Sequence, residues 1–143
     1  MKYLFLDFDG VLHPKGTGPK FTRLPLFEDT MRQLPDVAIV ISSTWRLTFP
    51  VDELQEMLGT AGAKVVGRTR AGCEFTVPRF GTRGTEVRDW LKYNGGHDSD
   101  WAALDDDPEL FGGKDHLILC DGTVGFTQRE ADLLIEWAKK TPD

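Results

Sequence analysis

The sequence of 143 residues predicts a three-layer α/β fold with a mainly parallel central sheet of about five strands. Short, unbroken apolar segments, which are typical of strands buried on both faces, alternate with segments of helical periodicity. Most of these apolar segments end abruptly in polar residues. Such alternation favours parallel strands joined by helices that cover both faces of the sheet, and the length suits a single domain over residues 1–143.

The first predicted strand covers residues 3–6, and it is followed by a loop over residues 13–25 that is rich in proline and glycine. The loop carries three basic residues: Lys15, Lys20 and Arg23. Their side chains should lie over the carboxyl end of the first strand.

Apolar residues at helical spacing predict the first helix over residues 26–34. The second strand is predicted over Val37–Ile41, because all five residues are apolar and three are β-branched. A second amphipathic helix has Pro50 in its first turn and ends at Gly59 or Gly62.

The three remaining strands are predicted over residues 64–67, 101–104 and 117–120. Residues 68–82 predict a loop or small hairpin, with a possible extended piece at residues 74–77. A third helix begins at Arg83 and ends at a pair of glycines. The last helix begins at a capping box formed by Thr127 and Glu130.

Composition excludes several classes of protein. A hydrophobic content of 40% and a net charge of −6 are typical of a soluble globular protein, and no apolar run is long enough to span a membrane. We therefore expect a cytoplasmic protein without membrane partners. The two cysteines lie far apart and predict reduced thiols, and the three histidines lack the spacing of metal ligands.

Two aspartates, Asp7 and Asp9, follow the first strand, and Gly10 comes directly after them. Side chains at i and i+2 of an extended segment point to the same side. Carboxylates so close together need a cation, a shared proton or solvent, and Mg²⁺ prefers oxygen ligands of this kind. The glycine permits a sharp turn and brings backbone N–H groups near an anion. The pattern predicts a Mg²⁺ site where open α/β sheets bind their ligands.

Three other polar clusters lie at the ends of predicted elements. They are Ser42 with Ser43 after the second strand, Arg83 at the start of a helix, and Asp105 with Asp106 after the fourth strand. Because the carboxyl ends of parallel strands share one edge of the sheet, all three clusters could face one crevice together with the first aspartate pair.

The order and surroundings of these clusters resemble the haloacid dehalogenase (HAD) superfamily of magnesium-dependent phosphohydrolases. The resemblance covers nearly the whole chain, and its most specific motif is Asp7-Phe8-Asp9-Gly10 with the two apolar residues that follow. It implies a Rossmann-like fold of the HAD type. The segments between the motifs leave no room for an independent cap domain, so we expect a capless member.

The resemblance also implies roles for individual residues. Asp7 would be the nucleophile that forms an aspartyl-phosphate, and Asp9 the general acid and base. Gly10 and Ser42 would contact the phosphate, with Ser43 as the alternative hydroxyl. An acid at position 9 favours a phosphatase over relatives that cleave carbon–halogen bonds.

Arg83 stands where the family usually has lysine. Arginine can bind phosphate bidentately and stays charged, although Arg83 could instead contact substrate or cap a carboxylate. The Mg²⁺ site implied by the resemblance consists of Asp7, the backbone carbonyl of Asp9, and either Asp105 or Asp106.

Arg46 lies a few residues beyond the second strand and could bind a phosphate of the substrate. The segment Ser43-Thr44-Trp45-Arg46, together with Gly125-Phe126-Thr127, resembles the small HAD domains attached to RNA-repair proteins. Trp45 could stack on a base or contribute only to packing.

An open site without a cap suits a large phosphorylated substrate, such as a nucleic-acid end or a protein. Residues 64–88 hold six basic and two acidic residues, a net charge of +4 that could attract such a substrate or form only a solvated loop. Three alternatives remain open: a small-molecule phosphatase, a non-catalytic module that binds phosphate or Mg²⁺, and a receiver-like phospho-acceptor domain. The last is disfavoured because receivers phosphorylate an aspartate on a later strand than their acidic pair.

Overall fold

The computed structural model describes residues 1–70, 82–96 and 100–140. Its centre is a five-stranded sheet in which every neighbouring pair of strands is parallel, with the order β3-β2-β1-β4-β5. The strands are β1 (Lys2–Leu6), β2 (Val37–Ile41), β3 (Val65–Arg68), β4 (Trp101–Asp105) and β5 (Leu117–Leu119). The predicted parallel sheet of about five strands is therefore confirmed.

Helices cover both faces of this sheet. They are α1 (Leu24–Arg32), α2 (Val51–Met57), α3 (Thr82–Asn94) and α4 (Gln128–Lys139). One core contains apolar residues of α1, α2 and α4, together with Leu4 and Leu6 of β1. The other core contains residues of α3, together with Phe5 of β1. Successive strand residues thus pack on opposite faces, as the pleat of a strand requires, and the three-layer prediction is confirmed.

The register of the central strands sets up the edge at which the site lies. Leu6, the last residue of β1, pairs with Ile41 of β2 on one side and with Leu104 of β4 on the other. Consequently Asp7, Ser42 and Asp105 stand side by side at the carboxyl edge. The chain places β2 and β3 on one side of β1, and β4 and β5 on the other. This reversal of strand order creates a crevice between β1 and β4.

Several element boundaries differ from the prediction by one or two residues, whereas those of β2 agree with it. The first helix runs over Leu24–Arg32 and not over residues 26–34, because Pro25 occupies its first turn. Proline is well tolerated there, since the first N–H groups of a helix have no partner within it. The second helix ends at Met57, and a 3₁₀ turn over Gly59–Lys64 continues towards β3. The capping box of α4 is confirmed, since the Glu130 carboxylate accepts the Thr127 N–H at 2.8 Å.

The predicted extended piece at residues 74–77 lies outside the described residues. Within residues 1–70, 82–96 and 100–140, no segment forms a separate cap over the carboxyl edge of the sheet. Among the helices of those ranges, none combines the length and apolar character needed to cross a bilayer.

Candidate functional site

Four segments of the chain meet at the carboxyl edge of the sheet. They contribute Asp7 after β1, Ser42 after β2, Asp105 with Asp106 at the end of β4, and Arg83 from the first turn of α3. The predicted convergence of these clusters is therefore present in the structure. The catalytic, phosphate-binding and metal-binding roles of these residues stay predictions.

Three carboxylates form the centre of the site. Each of Asp7, Asp105 and Asp106 offers an oxygen atom, and these three atoms lie within 4.8 Å of one another. Burial, reinforced by the negative charge of Asp105, raises the pKa of Asp7 well above its ordinary value, against the opposing effect of Arg83. Burial also raises the pKa of Asp105. Such a crowded set of oxygen ligands fits a hard divalent cation, as the sequence predicted.

Asp105 is the most completely hydrogen-bonded of the three. Its Oδ1 accepts the backbone N–H groups of Asp106 at 2.8 Å and Asp107 at 3.0 Å. Its Oδ2 accepts a hydrogen bond from Arg83 at 2.7 Å. These contacts fix the orientation of Asp105 and leave it fewer lone pairs for a metal than Asp7 or Asp106 has.

Arg83 joins two of the carboxylates. The same Nη1 that contacts Asp105 lies 3.6 Å from Oδ2 of Asp7. Its guanidinium is buried; burial lowers its pKa, but the charges of Asp7 and Asp105 outweigh this effect and raise it. A permanent positive charge therefore lies beside Asp7.

Asp106 lies between two glycines. A Cβ at Gly10 would lie 2.4 Å from Oδ2 of Asp106, and a Cβ at Gly122 would lie 2.5 Å from the same atom. Gly10 also has a φ of +81°, which residues with a side chain rarely adopt. Both features show why a glycine is needed directly after the aspartate pair.

The hydroxyls of the two predicted serines have different environments. Ser42 is fully buried, and its Oγ has no hydrogen-bond partner in the part of the chain that the structure describes. Ser43 instead accepts the backbone N–H of Trp45 at 3.2 Å and so caps a 3₁₀ turn over Thr44–Leu47. Because buried hydroxyls normally have partners, the unpaired Ser42 is the better candidate for a ligand contact.

The carboxylate of Asp9 has two hydrogen-bond partners outside the acidic centre. Its Oδ1 lies 2.7 Å from Nε2 of His13, and its Oδ2 accepts the indole N–H of Trp45 at 3.0 Å. Partial burial raises the pKa of Asp9, but the hydrogen bonds from His13 and Trp45 outweigh this effect and lower it. The metal contact predicted for the backbone carbonyl of Asp9 stays a prediction.

Arg46 makes contacts different from those expected of a phosphate ligand. It is 5% exposed and donates to the backbone carbonyls of Thr69, Ser42 and Ser43 and to the carboxylate of Glu86. These bonds use four of the five N–H groups of a guanidinium. The substrate contact predicted for Arg46 stays a prediction, and its buried contacts favour a structural role that ties the end of β2 to α3.

Three contacts of the site were not assigned from the sequence. Lys15 places Nζ 2.7 Å from Oδ2 of Asp106, which gives a partner to one of the loop cations expected above β1. His13 and Trp45 hold Asp9, as described above. The four-residue spacing between Asp9 and His13 was the one signal that could have indicated their contact.

Comparison with protein families gives an independent result. A family model described as the HAD domain in Swiss Army Knife RNA repair proteins matches residues 3–131. The match includes both aspartate pairs, both serines and Arg83. A search among curated proteins finds no match to the chain.

Proposed function

Because the chain belongs to the family of HAD domains in Swiss Army Knife RNA repair proteins, we propose that it is a Mg²⁺-dependent phosphohydrolase. Its proposed reaction passes through an aspartyl-phosphate on Asp7. Its proposed substrate is an exposed phosphomonoester on a macromolecule, such as the end of a nucleic acid.

The observation that carries this proposal is the position of Arg83 beside Asp7 and within hydrogen-bond distance of Asp105. A carboxylate attacks a phosphate ester only when positive charge offsets the repulsion between two anions. A buried guanidinium beside a buried carboxylate at the carboxyl edge of a parallel sheet supports such a reaction.

The residues that would hold Mg²⁺ are Asp7, Asp106 and the backbone carbonyl of Asp9, while Asp105 would orient the site through Arg83. The donor set fits the ion, since its oxygen ligands converge and two glycines make room for the Asp106 carboxylate itself. When bound, Mg²⁺ supplies positive charge that stabilises the transferring phosphoryl group and lowers the fraction of protonated Asp7.

In the first step, a carboxylate oxygen of Asp7 attacks phosphorus as the bond from phosphorus to the ester oxygen breaks. Asp9 donates its proton to that oxygen, so the alcohol leaves in neutral form. Arg83 and the unpaired Ser42 hydroxyl donate hydrogen bonds to the phosphoryl oxygens. Arg83 therefore stabilises both the nucleophile before the attack and the transferred group after it.

In the second step, the ionised Asp9 accepts a proton from a water molecule. The resulting hydroxide attacks phosphorus, inorganic phosphate leaves, and the carboxylate of Asp7 is regenerated. Because Asp9 hands over a proton in one step and recovers one in the next, the cycle balances without another acid.

Support for a macromolecular substrate comes from the family description and from the open edge of the sheet. The family is described as that of HAD domains in RNA repair proteins, which makes RNA the first substrate class to test. The described residues contain no cap that could enclose a small molecule, so a large substrate would itself have to exclude water from the site. These observations favour a nucleic-acid end over a nucleotide or a sugar phosphate.

The test is phosphate release from a substrate panel in the presence and absence of Mg²⁺. The panel contains RNA and DNA oligonucleotides with 3′- or 5′-phosphates, phosphopeptides, nucleotides, sugar phosphates and an aryl phosphate. We expect Mg²⁺-dependent release that is greatest with an oligonucleotide and is abolished in Asp7→Asn. Asp132→Asn, on the exposed face of α4, is the matched control and should keep full activity. Release from no substrate would contradict the proposed phosphatase activity, and equal release by Asp7→Asn would show that Asp7 is not the nucleophile.

A further inference from the structure

Asp9 is held by two donors that come from different parts of the chain. His13 belongs to the loop after β1, and Trp45 belongs to the 3₁₀ turn after β2. Each donor uses a different oxygen of the carboxylate, at 2.7 Å for His13 and 3.0 Å for Trp45. Together these two bonds fix both the position and the rotation of the Asp9 carboxylate.

The backbone around His13 determines which ring nitrogen carries the proton. The N–H of Phe21 points at Nδ1 of His13, at 3.2 Å, so Nδ1 accepts a hydrogen bond. Nε2 must then carry the proton, and it donates to Asp9. Phe21 has a φ of 61°, a conformation that is uncommon for a residue with a side chain. The chain thus adopts a costly backbone conformation at the residue that orients His13.

Aromatic packing restrains both donors. His13 is fully buried, and its ring meets those of Phe21 and Trp45 at centroid distances of 5.5 and 5.7 Å. The Trp45 ring also meets Phe8, at 5.3 Å. Neither donor can turn away from Asp9 without breaking several of these contacts.

Asp9 itself faces solvent on its remaining side, since its side chain is 45% exposed. An unrestrained aspartate with that exposure would exchange among rotamers. A carboxylate offers about four lone-pair sites, and the two N–H groups occupy one on each oxygen. One site on each oxygen stays available for the proton that Asp9 has to exchange with substrate and water.

We infer that His13 and Trp45 are positioning residues that aim Asp9 at the leaving oxygen of the substrate. This role rests on the proposed function, because it concerns the step in which the O–H bond of Asp9 breaks and the proton joins the departing ester oxygen. Neither residue needs to touch the substrate. Both act through the orientation of the carboxylate between them.

The test compares two classes of leaving group. An alkoxide leaves poorly and requires the proton of Asp9, whereas a nitrophenolate leaves readily without one. A variant in which the Asp9 carboxylate is no longer held in position should therefore have a kcat for an alkyl phosphate that is lower by about 10-fold or more. Its kcat for nitrophenyl phosphate should fall by only about 3-fold or less. The variants are Trp45→Phe, which keeps the ring without its N–H, and His13→Leu. His13→Gln, which retains an amide donor, should recover much of the activity that His13→Leu loses.

Phe49→Leu is the matched control, because Phe49 packs on the Trp45 ring at a centroid distance of 5.7 Å. We expect this variant to keep the wild-type ratio of the two rates. If Trp45→Phe is folded and reduces both rates equally, or reduces neither, the positioning role is wrong while the proposed function stands. Absence of hydrolysis of both these substrates and of every substrate in the panel by the wild-type protein would overturn the positioning role and the proposed function together. Should His13→Leu fail to fold, the Trp45→Phe ratio alone decides the question.

Discussion

The carboxylate of Asp106 occupies the space that a side chain at Gly10 would need. A Cβ at this glycine would lie 2.4 Å from Oδ2 and 2.6 Å from Cγ of Asp106. Gly10 and Asp106 follow different strands, so their close approach joins the two halves of the acidic centre. The consequences of enlarging residue 10 can be measured directly.

We expect Gly10→Ala to displace Asp106 and to lower both Mg²⁺ affinity and activity. The positive φ should also strain the alanine backbone and lower the free energy of unfolding by about 1–3 kcal/mol. Gly16→Ala is the control, since Gly16 also has a positive φ, of +112°, but has no atom within 4 Å of the added Cβ. Isothermal titration with Mg²⁺ and thermal unfolding should separate the two effects. Normal Mg²⁺ affinity in Gly10→Ala would contradict a role for Asp106 in metal binding.

Asp7→Asn should stabilise the metal-free protein while abolishing hydrolysis. The pKa of Asp7 is raised in the folded state by burial and by Asp105, so ionisation of Asp7 weakens folding. The stability that protonated Asp7 contributes is complete below its unfolded pKa and is lost as the pH rises through its folded pKa. The gain from asparagine, which carries no charge, should therefore be small at acidic pH and exceed about 1 kcal/mol near neutral pH.

Denaturant unfolding of wild type and Asp7→Asn at several pH values, with a chelator present, measures this difference. Asp132→Asn serves again as the control, because its carboxylate is exposed on α4. A stability difference that does not change with pH would show that Asp7 is not destabilised by ionisation.

Substitution of the two neighbouring serines should produce opposite results. Ser42→Ala removes a buried hydroxyl that has no described partner, so stability should change little while kcat/KM falls by about 10- to 100-fold. Ser43→Ala removes the cap of the 3₁₀ turn and should cost about 1 kcal/mol of stability with a smaller kinetic effect. Steady-state kinetics and thermal unfolding of both variants identify the hydroxyl that contacts the phosphate. A larger loss of kcat/KM in Ser43→Ala than in Ser42→Ala would assign the phosphate contact to Ser43.

Lys15→Met should tighten Mg²⁺ binding. The Lys15 ammonium lies 2.7 Å from Oδ2 of Asp106 and competes with a cation for this oxygen. Since the lysine is largely exposed, the gain should not exceed about 5-fold in affinity. Lys20→Met is the matched control, because Lys20 carries the same charge in the same loop but donates to the carbonyl of Gly16. Weaker Mg²⁺ binding in Lys15→Met would indicate that this lysine supports the metal site.

Sequence reasoning was most accurate for strands and helices that are recognised from residues adjacent in the sequence. The bounds of β2 were predicted correctly, since five consecutive apolar residues, three of them β-branched, favour a strand buried on both faces. Proximity of Asp7, Ser42 and Asp105 followed from the shared carboxyl edge of a parallel sheet. The first helix was placed two residues late because Pro25 was assigned to the loop, although it occupies the first turn.

The contacts that could not be predicted depend on packing between distant segments. Arg46 reaches Thr69 and Glu86, which lie 23 and 40 residues away, so no local pattern identifies its partners. Trp45 reaches Asp9 across 36 residues. A polar side chain near a strand end can bind a ligand or satisfy buried backbone groups, and only its surroundings in the fold distinguish the two.

The position of β1 in the middle of the sheet has a consequence for biosynthesis. This strand is synthesised before the other four, yet one of its two neighbours, β4, begins only at Trp101, about a hundred residues later. Until β4 emerges, the nascent chain carries an apolar strand with an open edge, which is a site for aggregation. The acidic centre therefore forms only after β4 has been made, and a chain truncated before Asp105 should be prone to aggregate and unable to bind Mg²⁺.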